Sequence, residues 1–364
     1  MSPRYQPDKV SLALEEDLEM VIAAWCRKDD VALLRKPPSR EHLMQLKQAG
    51  FDLPEIATID ELRGRKLGGL RPWAWSPDAG RLLEPLASEV SPGMPWQWQS
   101  LPREWFSKEI GIRLEELLGL SEKGIVCRSV DEAWRMAETL MAAGQVLAKA
   151  PYSFAGRGHK RINRDSPPEA TRNWLANVIA EHGCVVIEAW LERVTDFSAL
   201  YEMDASGAAA LVGLTLMEND AAGRFLGTRV SPKWASMLEP EVAAFLHREA
   251  DVMNWYQHRI PAAISNLLPS YVGPLGVDAM VHRKADGTLA LKHVVELNVR
   301  MTMGRVALEL LQKSEPNRQG SFKILRKAKV DAADCEWHGS LQGGKVILND
   351  PRQAREFLAV WELR

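Results

Sequence analysis

Cysteine is scarce: four residues, at 26, 127, 184 and 335, are spread over 364 positions with no C-x-x-C pair among them. That spacing excludes a zinc ribbon, a dithiol redox centre and a disulfide-stapled scaffold, and it predicts reduced, mostly buried thiols. An excess of charge of one sign is also missing. The 46 Lys and Arg nearly balance the 48 Asp and Glu, for a formal net charge of -2. No basic field favours nucleic acid and no polybasic segment favours a membrane surface, so a charged ligand must be met by a local cluster. No apolar run approaches the roughly 20 residues of a membrane span. The opening "MSPRYQPDKVSLALEEDLEM" carries acidic residues where a secretion signal would have its apolar core, so a cytoplasmic location is expected. Internal repeats, low-complexity tracts and heptad runs are absent as well.

What is present is an alternation of helix-like and strand-like segments. "DVALLRKPPSREHLMQLKQAGFDLPEI" predicts a strand near 31–35, a helix opened by Ser39 and stopped at Gly50, and a second strand after Pro54. Residues 68–100 are dense in Gly and Pro, which break regular structure, and hold two W-x-W pairs, Trp73 with Trp75 and Trp96 with Trp98. These indoles read as plugs in a seam between two domains, with a boundary near residue 100. A helix then runs to Gly119, and another lies between Ser129 as N-cap and Gly144 as stop. A strand delivers Lys149, a helix covers 168–182, and "CVVIEAWLERVTDFSALYEMD" reads as a strand that exits at Glu188 and resumes around Phe197. Beyond 316, a strand at 344–348 is followed by a helix begun at Asp350 and Pro351. The fold class is therefore α/β and α+β.

The stretch "GPLGVDAMVHRKADGTLALKHVVELNVR", 273–300, holds two alternating runs around Asp286 and Gly287, a strong hairpin signal. On the second run Leu291, Val295, Leu297 and Val299 share one face, and Val294, Glu296, Asn298 and Arg300 share the other. A three-residue loop, 286–288, sets Asp278 across from Glu296; a two-residue loop would part them onto opposite faces unless a bulge intervened. Two carboxylates and an amide oxygen on one face are hard ligands suited to Mg²⁺, and Arg300 would meet a phosphate. Taken alone the strand reads more simply as a solvated face with an ion pair between Arg300 and a carboxylate. Thr302 then caps a helix whose apolar stripe is Met303, Val306, Ala307, Leu310 and Leu311, so free N–H groups lie beside the ligand face. Gly304 lets the backbone come close.

The loop "APYSFAGRGHK" offers Ser153, Gly156 and Gly158 for a flexible turn over phosphates, with Lys149, Arg157 and Lys160 as charge. It has neither the G-K-[ST] spacing of a Walker A loop nor a G-x-G-x-x-G fingerprint. His159 and His293 have no partner within sequence reach and receive no role. Arg229 and Arg305 are cations for an acceptor carboxylate or, more simply, for surface salt bridges.

The order of Lys108, Lys149 with "SFAGRG", "VVIEAWL", "GVDA" and "VVELNVR" resembles the ATP-grasp superfamily over about residues 100–315. The resemblance implies an ATP-grasp fold behind an N-terminal α/β domain, residues 1–100. It also implies a small subdomain with the Gly-rich loop at 101–190, a large subdomain with the metal site at 191–315, and an extension at 316–364. It implies ATP and Mg²⁺ as cofactors. Lys108 and Lys149 would contact the phosphates, and 153–158 would cover them. "EAWL" resembles the adenine hinge of D-alanine:D-alanine ligases, with Glu188 near the adenine amino group and the backbone of Trp190 and Leu191 at the ring edge; the Trp190 ring is left to the core. Asp196 falls near the ribose acid, with one extra residue between hinge and acid here. Asp278, Glu296 and Asn298 match the metal positions, and Arg300 and Lys149 would act on the transferred phosphate. The implied activity joins a small-molecule carboxylate to an amine through an acyl phosphate, with no nucleic acid or membrane partner and a homodimer left open. A small-molecule kinase on the same scaffold, or a nucleotide-binding module without turnover, are the alternatives.

Overall fold

Short apolar runs and long alternating ones sort into separate sheets. The computed structural model describes residues 9–92, 101–153, 158–220, 223, 225–330 and 339–364. Strands β1 (Val31–Leu33) and β2 (Glu55–Ala57) pair in parallel, joined through the helix Arg40–Gln48, whose N-cap Ser39 accepts a hydrogen bond from the His42 N–H at 3.3 Å. β3 (Ile125–Cys127), β4 (Val146–Lys149), β5 (His159–Ile162) and β6 (Val185–Ala189) form a four-stranded antiparallel sheet in the order β3-β6-β4-β5. The helices Val130–Met141 and Pro168–His182 close its core through Ala133, Ala137, Leu175 and Val178. Ser129 caps the first, and Gly183, at φ +84°, ends the second.

The remaining strands are β7 (Glu192–Met203), β8 (Ala209–Asn219), β9 (Phe225–Val230), β10 (Gly273–Arg283), β11 (Leu289–Asn298), β12 (Gly320–Arg326), β13 (Gly344–Ile347) and β14 (Phe357–Leu363). They make one eight-stranded antiparallel sheet in the order β11-β10-β7-β8-β9-β12-β14-β13. Alternation splits its side chains between two cores. Phe197, Tyr201 and Val277 pack under the helices Glu109–Leu117 and Ile260–Leu267, whereas Leu200, Val230 and Phe322 pack under the helix Met303–Lys313 and the N-terminal segment around Val21 and Trp25. The three described cysteines are free, with Cys127 and Cys184 buried. No helix among the described residues is long and apolar enough to cross a membrane.

Two expectations change. Asp278 does face Glu296, but by another route. The loop is 285–287, closed by the Lys284 N–H on the Thr288 carbonyl at 2.8 Å, and Met280 then faces Lys292. That register would put Asp278 opposite 294. Residues 293–295 of β11 instead stand against the single residue 279, a bulge that returns Asp278 to Glu296. The bulge also exchanges two valines: Val294 is in the core, and Val295 lines a cleft. The C-terminal helix is a strand. Asp350 makes only a turn, accepting from the Arg352 and Ser39 N–H groups, and β14 runs from Phe357 to Leu363 with Trp361 fully buried. Asn349 clamps the Phe357 carbonyl and the Ala359 N–H, so the backbone is extended before a helix can start.

Asp17 closes this end by accepting from the N–H groups of Arg355, Glu356 and Phe357 at 2.7, 2.7 and 2.8 Å. Asp17→Ala would leave these donors unmet and lower stability by about 2 to 3 kcal/mol, read by chemical denaturation. Unchanged stability would show that the 350–356 turn supports itself.

Candidate functional site

The two larger sheets and the N-terminal segment bound a cleft of about 2600 Å³, beyond the roughly 300–1,000 Å³ of an ordinary small-molecule site. On its floor, β7, β10 and β11 bring Ser198, Asp278 and Glu296 into one row. Ser198 Oγ donates to Asp278 Oδ1, and Asn298 Nδ2 donates to Asp278 Oδ2 at 2.9 Å. Arg300 donates to Asn298 Oδ1 at 2.6 Å, so amide and guanidinium extend the row past the strand end. Thr302 Oγ1 accepts from the Arg305 N–H at 3.2 Å and starts the helix Met303–Lys313 there. Four of the predicted residues, Asp278, Glu296, Asn298 and Arg300, thus come together.

Burial pushes Asp278 up to about 6, with Glu296 adding to the rise, against the pull of Ser198, Arg300 and Asn298. Burial would raise Glu296 too, but Lys108, then Arg300 and Lys149, hold its carboxyl below the usual range. Lys108 Nζ lies 2.7 Å from Glu296 Oε1 and 3.0 Å from the Ser153 carbonyl. Lys108 is buried behind Glu296, and its own atoms do not form the cleft wall. Lys149 does, paired with Glu188; burial would lower its pKa, and the Glu188 charge raises it instead.

Among the described residues no three His, Cys, Asp or Glu side chains cluster as a metal site. The two carboxylates and one amide on the floor are therefore an all-oxygen donor set, which fits a hard cation that takes its remaining ligands from phosphate and water.

At the hinge, β6 ends at Ala189 and the Trp190 N–H donates to the Gln145 carbonyl at 2.8 Å. The Leu191 N–H has no hydrogen-bond partner among the described residues, and Leu191 lines the cleft. The Trp190 ring is not in the core: it lies under the Arg161 guanidinium, 3.6 Å from the ring centre. Asp196, on β7, accepts from Asn219 at 2.7 Å and pairs with Arg193 at 3.0 Å; burial raises its pKa. Ser153 Oγ donates to the Ala150 carbonyl at 2.9 Å. Gly158 closes the loop at φ +66°, where a Cβ would come within 2.7 Å of Ser153. Gly156 and Arg157 lie outside the described residues, as do Trp96 and Trp98.

The N-terminal segment reaches the floor. Trp73 accepts at its carbonyl from the Met301 N–H at 2.8 Å, and Trp73 and Trp75 line the cleft. Arg71 sits 4.2 Å over the Trp25 ring and 3.3 Å from Glu202, which also holds Arg305 at 2.6 Å. Arg229, on β9, does not line the cleft.

Sequence reasoning missed three features. Ser198 sits two residues past Asp196, where strand alternation could have found it. His159 faces Lys149 across β4 and β5, and burial, with Lys108 and Lys149 nearby, pushes it down to about 4. The buried pair Lys292–Glu115 joins residues 177 apart, and no local signal announces it.

Known structures share this architecture. The biotin carboxylase domain of the Hydrogenobacter thermophilus 2-oxoglutarate carboxylase, solved with MgADP, ADP and bicarbonate, matches at TM-score 0.59 and 13% identity, over 95% of this chain and 83% of its own. Biotin carboxylase from Campylobacter jejuni matches at 0.57 and 11%, over 97% and 85%. N5-carboxyaminoimidazole ribonucleotide synthetase from Thermus thermophilus matches at 0.52 and 13%, over 97% and 91%. No protein-family model and no curated protein matches the sequence. Taken with the two sheets that flank the cleft, these likenesses show that the chain has the ATP-grasp fold.

Gly304 sets the depth of the helix start: a Cβ there would lie 3.0 Å from Thr215 Oγ1 and 3.6 Å from Leu200. Gly304→Val would force the helix off the sheet and cost about 1 to 3 kcal/mol in a denaturant titration. Wild-type stability would show that the helix start is free to shift.

Proposed function

We propose that the protein is an ATP- and Mg²⁺-dependent ligase that joins a carboxylate to an amine through an acyl phosphate, releasing ADP and phosphate. The observation that carries this reading is the row of Asp278, Glu296, Asn298 and Arg300 at the start of a helix, on the floor of a cleft that Lys149 also lines. Phosphoryl transfer needs positioning and charge neutralisation more than a protein nucleophile. Asp278, Glu296 and Asn298 would hold Mg²⁺, which when bound neutralises phosphate charge. Lys149 and Lys108 would receive phosphate oxygens, with Ser153, Gly156, Arg157 and Gly158 over them. Glu188, the Trp190 and Leu191 backbone and Asp196 would hold the nucleoside, and the Leu191 N–H, without a partner among the described residues, is the donor that suits a base edge. Arg300 and the open N–H groups after Thr302 would face the transferred phosphate and the acceptor carboxylate. The fold likeness supports the reading, because structures of that fold include complexes with ADP and with an ATP analogue.

Glu296→Gln keeps an oxygen for Lys108 and removes the charge, so Mg²⁺-dependent ADP formation should vanish while the protein still folds, melting earlier because Lys108 loses its counter-charge. Normal turnover would remove Glu296 from the metal set. Lys149→Ala should weaken ATP binding by about 1.5 to 3 kcal/mol, and Lys160→Ala should change it little, by calorimetric titration. Equal losses would indicate a diffuse basic patch.

The ligase itself is tested with hydroxylamine in place of the amine. An acyl phosphate is captured as a hydroxamate, one per ADP. A carboxylate-bearing substrate that drives ADP release but yields a stable phosphate ester and no hydroxamate would assign a kinase instead.

A further inference from the structure

Lys108 and Glu296 hold each other at 2.7 Å, yet on the reading above each has a different partner when the nucleotide is bound. Apolar packing of Ile110 and Leu114 with Val294 and Leu297 holds the helix Glu109–Leu117 on β11, and a second charged tie fixes where along the strand it sits. Lys108 is the N-cap of that helix, and Glu115 lies two turns further along the same side. Glu115 pairs with Lys292, which lies on β11 at the near end of the bulge that brings Glu296 to Asp278. The helix and the strand are thus tied twice, with opposite polarity: lysine to glutamate at one end, glutamate to lysine at the other.

The second tie is the better sealed. Glu115 is 1% and Lys292 6% exposed. Glu115 Oε2 also accepts the Gly124 N–H at 3.1 Å, and Lys292 also donates to the Glu122 carbonyl, so both charges are hydrogen-bonded beyond each other. Nearby, the helix backbone runs close to β11, and a Cβ on Gly111 would be in ordinary contact with the Leu297 nitrogen at 3.5 Å. None of these groups belongs to the proposed nucleotide or metal set.

We infer that Glu115 and Lys292 are positioning residues that fix Lys108 and Glu296 while those two exchange partners on nucleotide binding. The inference rests on the nucleotide reading above. A buried ion pair is often replaceable by neutral groups at little cost in stability, whereas removing one partner leaves an uncompensated charge. That asymmetry separates positioning from mere support.

The test is calorimetric titration of the full chain with a non-hydrolysable ATP analogue and Mg²⁺, alongside thermal melting. Lys292→Met alone should melt earlier and bind weakly. Glu115→Gln combined with Lys292→Met should melt close to wild type and still bind at least tenfold more weakly. Lys292→Arg, which keeps the pair, should retain affinity within about twofold. Wild-type affinity in the neutral double variant would overturn the inference, as would a loss in Lys292→Arg equal to that of the double variant. Should the double variant not fold, Glu115→Asp keeps the charge and draws it back by one methylene; it should stay folded, melting earlier than wild type, and bind at least threefold more weakly at a temperature where it is folded, and unchanged binding overturns the inference. Wild-type protein that binds no Mg²⁺–nucleotide overturns the nucleotide reading and this inference with it, whereas a tight-binding wild type with an equally tight double variant overturns this inference alone.

Discussion

Lys108 Nζ reaches Glu296 Oε1 and the Ser153 carbonyl from the N-cap of a helix, and three pieces of chain meet at that one ammonium group. The helix lies on the large sheet, Ser153 begins the loop of the small sheet, and Glu296 stands on β11 at the cleft floor. Taking an ion out of water costs several kcal/mol, and the cost is tolerable only where hydrogen bonds and an opposite charge replace the water. The surroundings meet that condition. Glu296 is flanked by Arg300 and Lys149 as well as Lys108, while Asp278 is shared between Ser198 and Asn298. Apolar packing sets the two sheets on their helices, and Lys108 joins the loop of one to the strand of the other.

Local chemistry made much of this legible before any coordinates. Asp-Gly between alternating runs located the hairpin, Thr302 located the helix start, and helix 168–182 agreed with the folded element at both ends. The pairing of Asp278 with Glu296 was anticipated for the wrong reason. The loop is offset by one residue, and the bulge at 293–295 makes good the difference, driven by a choice between Val294 and Val295 for the core that depends on residues of the helix Glu109–Leu117 far away in sequence. A similar limit explains the C-terminal strand. Asp-Pro begins helices and turns alike, and the choice fell to Asp17 and Asn349, whose bonds to 355–359 are tertiary. Simple packing assigns the Trp190 ring to the core, whereas its partner, Arg161, comes from the neighbouring hairpin, which no local signal announces.

The near neutrality of the chain bears on how such a cleft meets a polyanion. Several of the cations at or behind its wall are already paired: Lys108 is held by Glu296, Lys149 by Glu188, Lys292 by Glu115, and Arg305 by Glu202 and Glu309. Pairing cancels the field beyond a Debye length of about 8 Å, so little long-range steering reaches a ligand in solution. On the proposed reading, binding is then an exchange of partners. Each lysine gives up a carboxylate for a phosphate oxygen, and the released carboxylate is retained only if a cation arrives with the phosphate. The exchange penalises phosphate without metal, because Glu296 would be left buried beside Asp278 with less positive charge to offset it. On that reading, selectivity for the metal complex over the bare anion would follow from the pairing itself, at the expense of raw affinity. A cleft lined with unpaired lysines would bind both more tightly and distinguish them less.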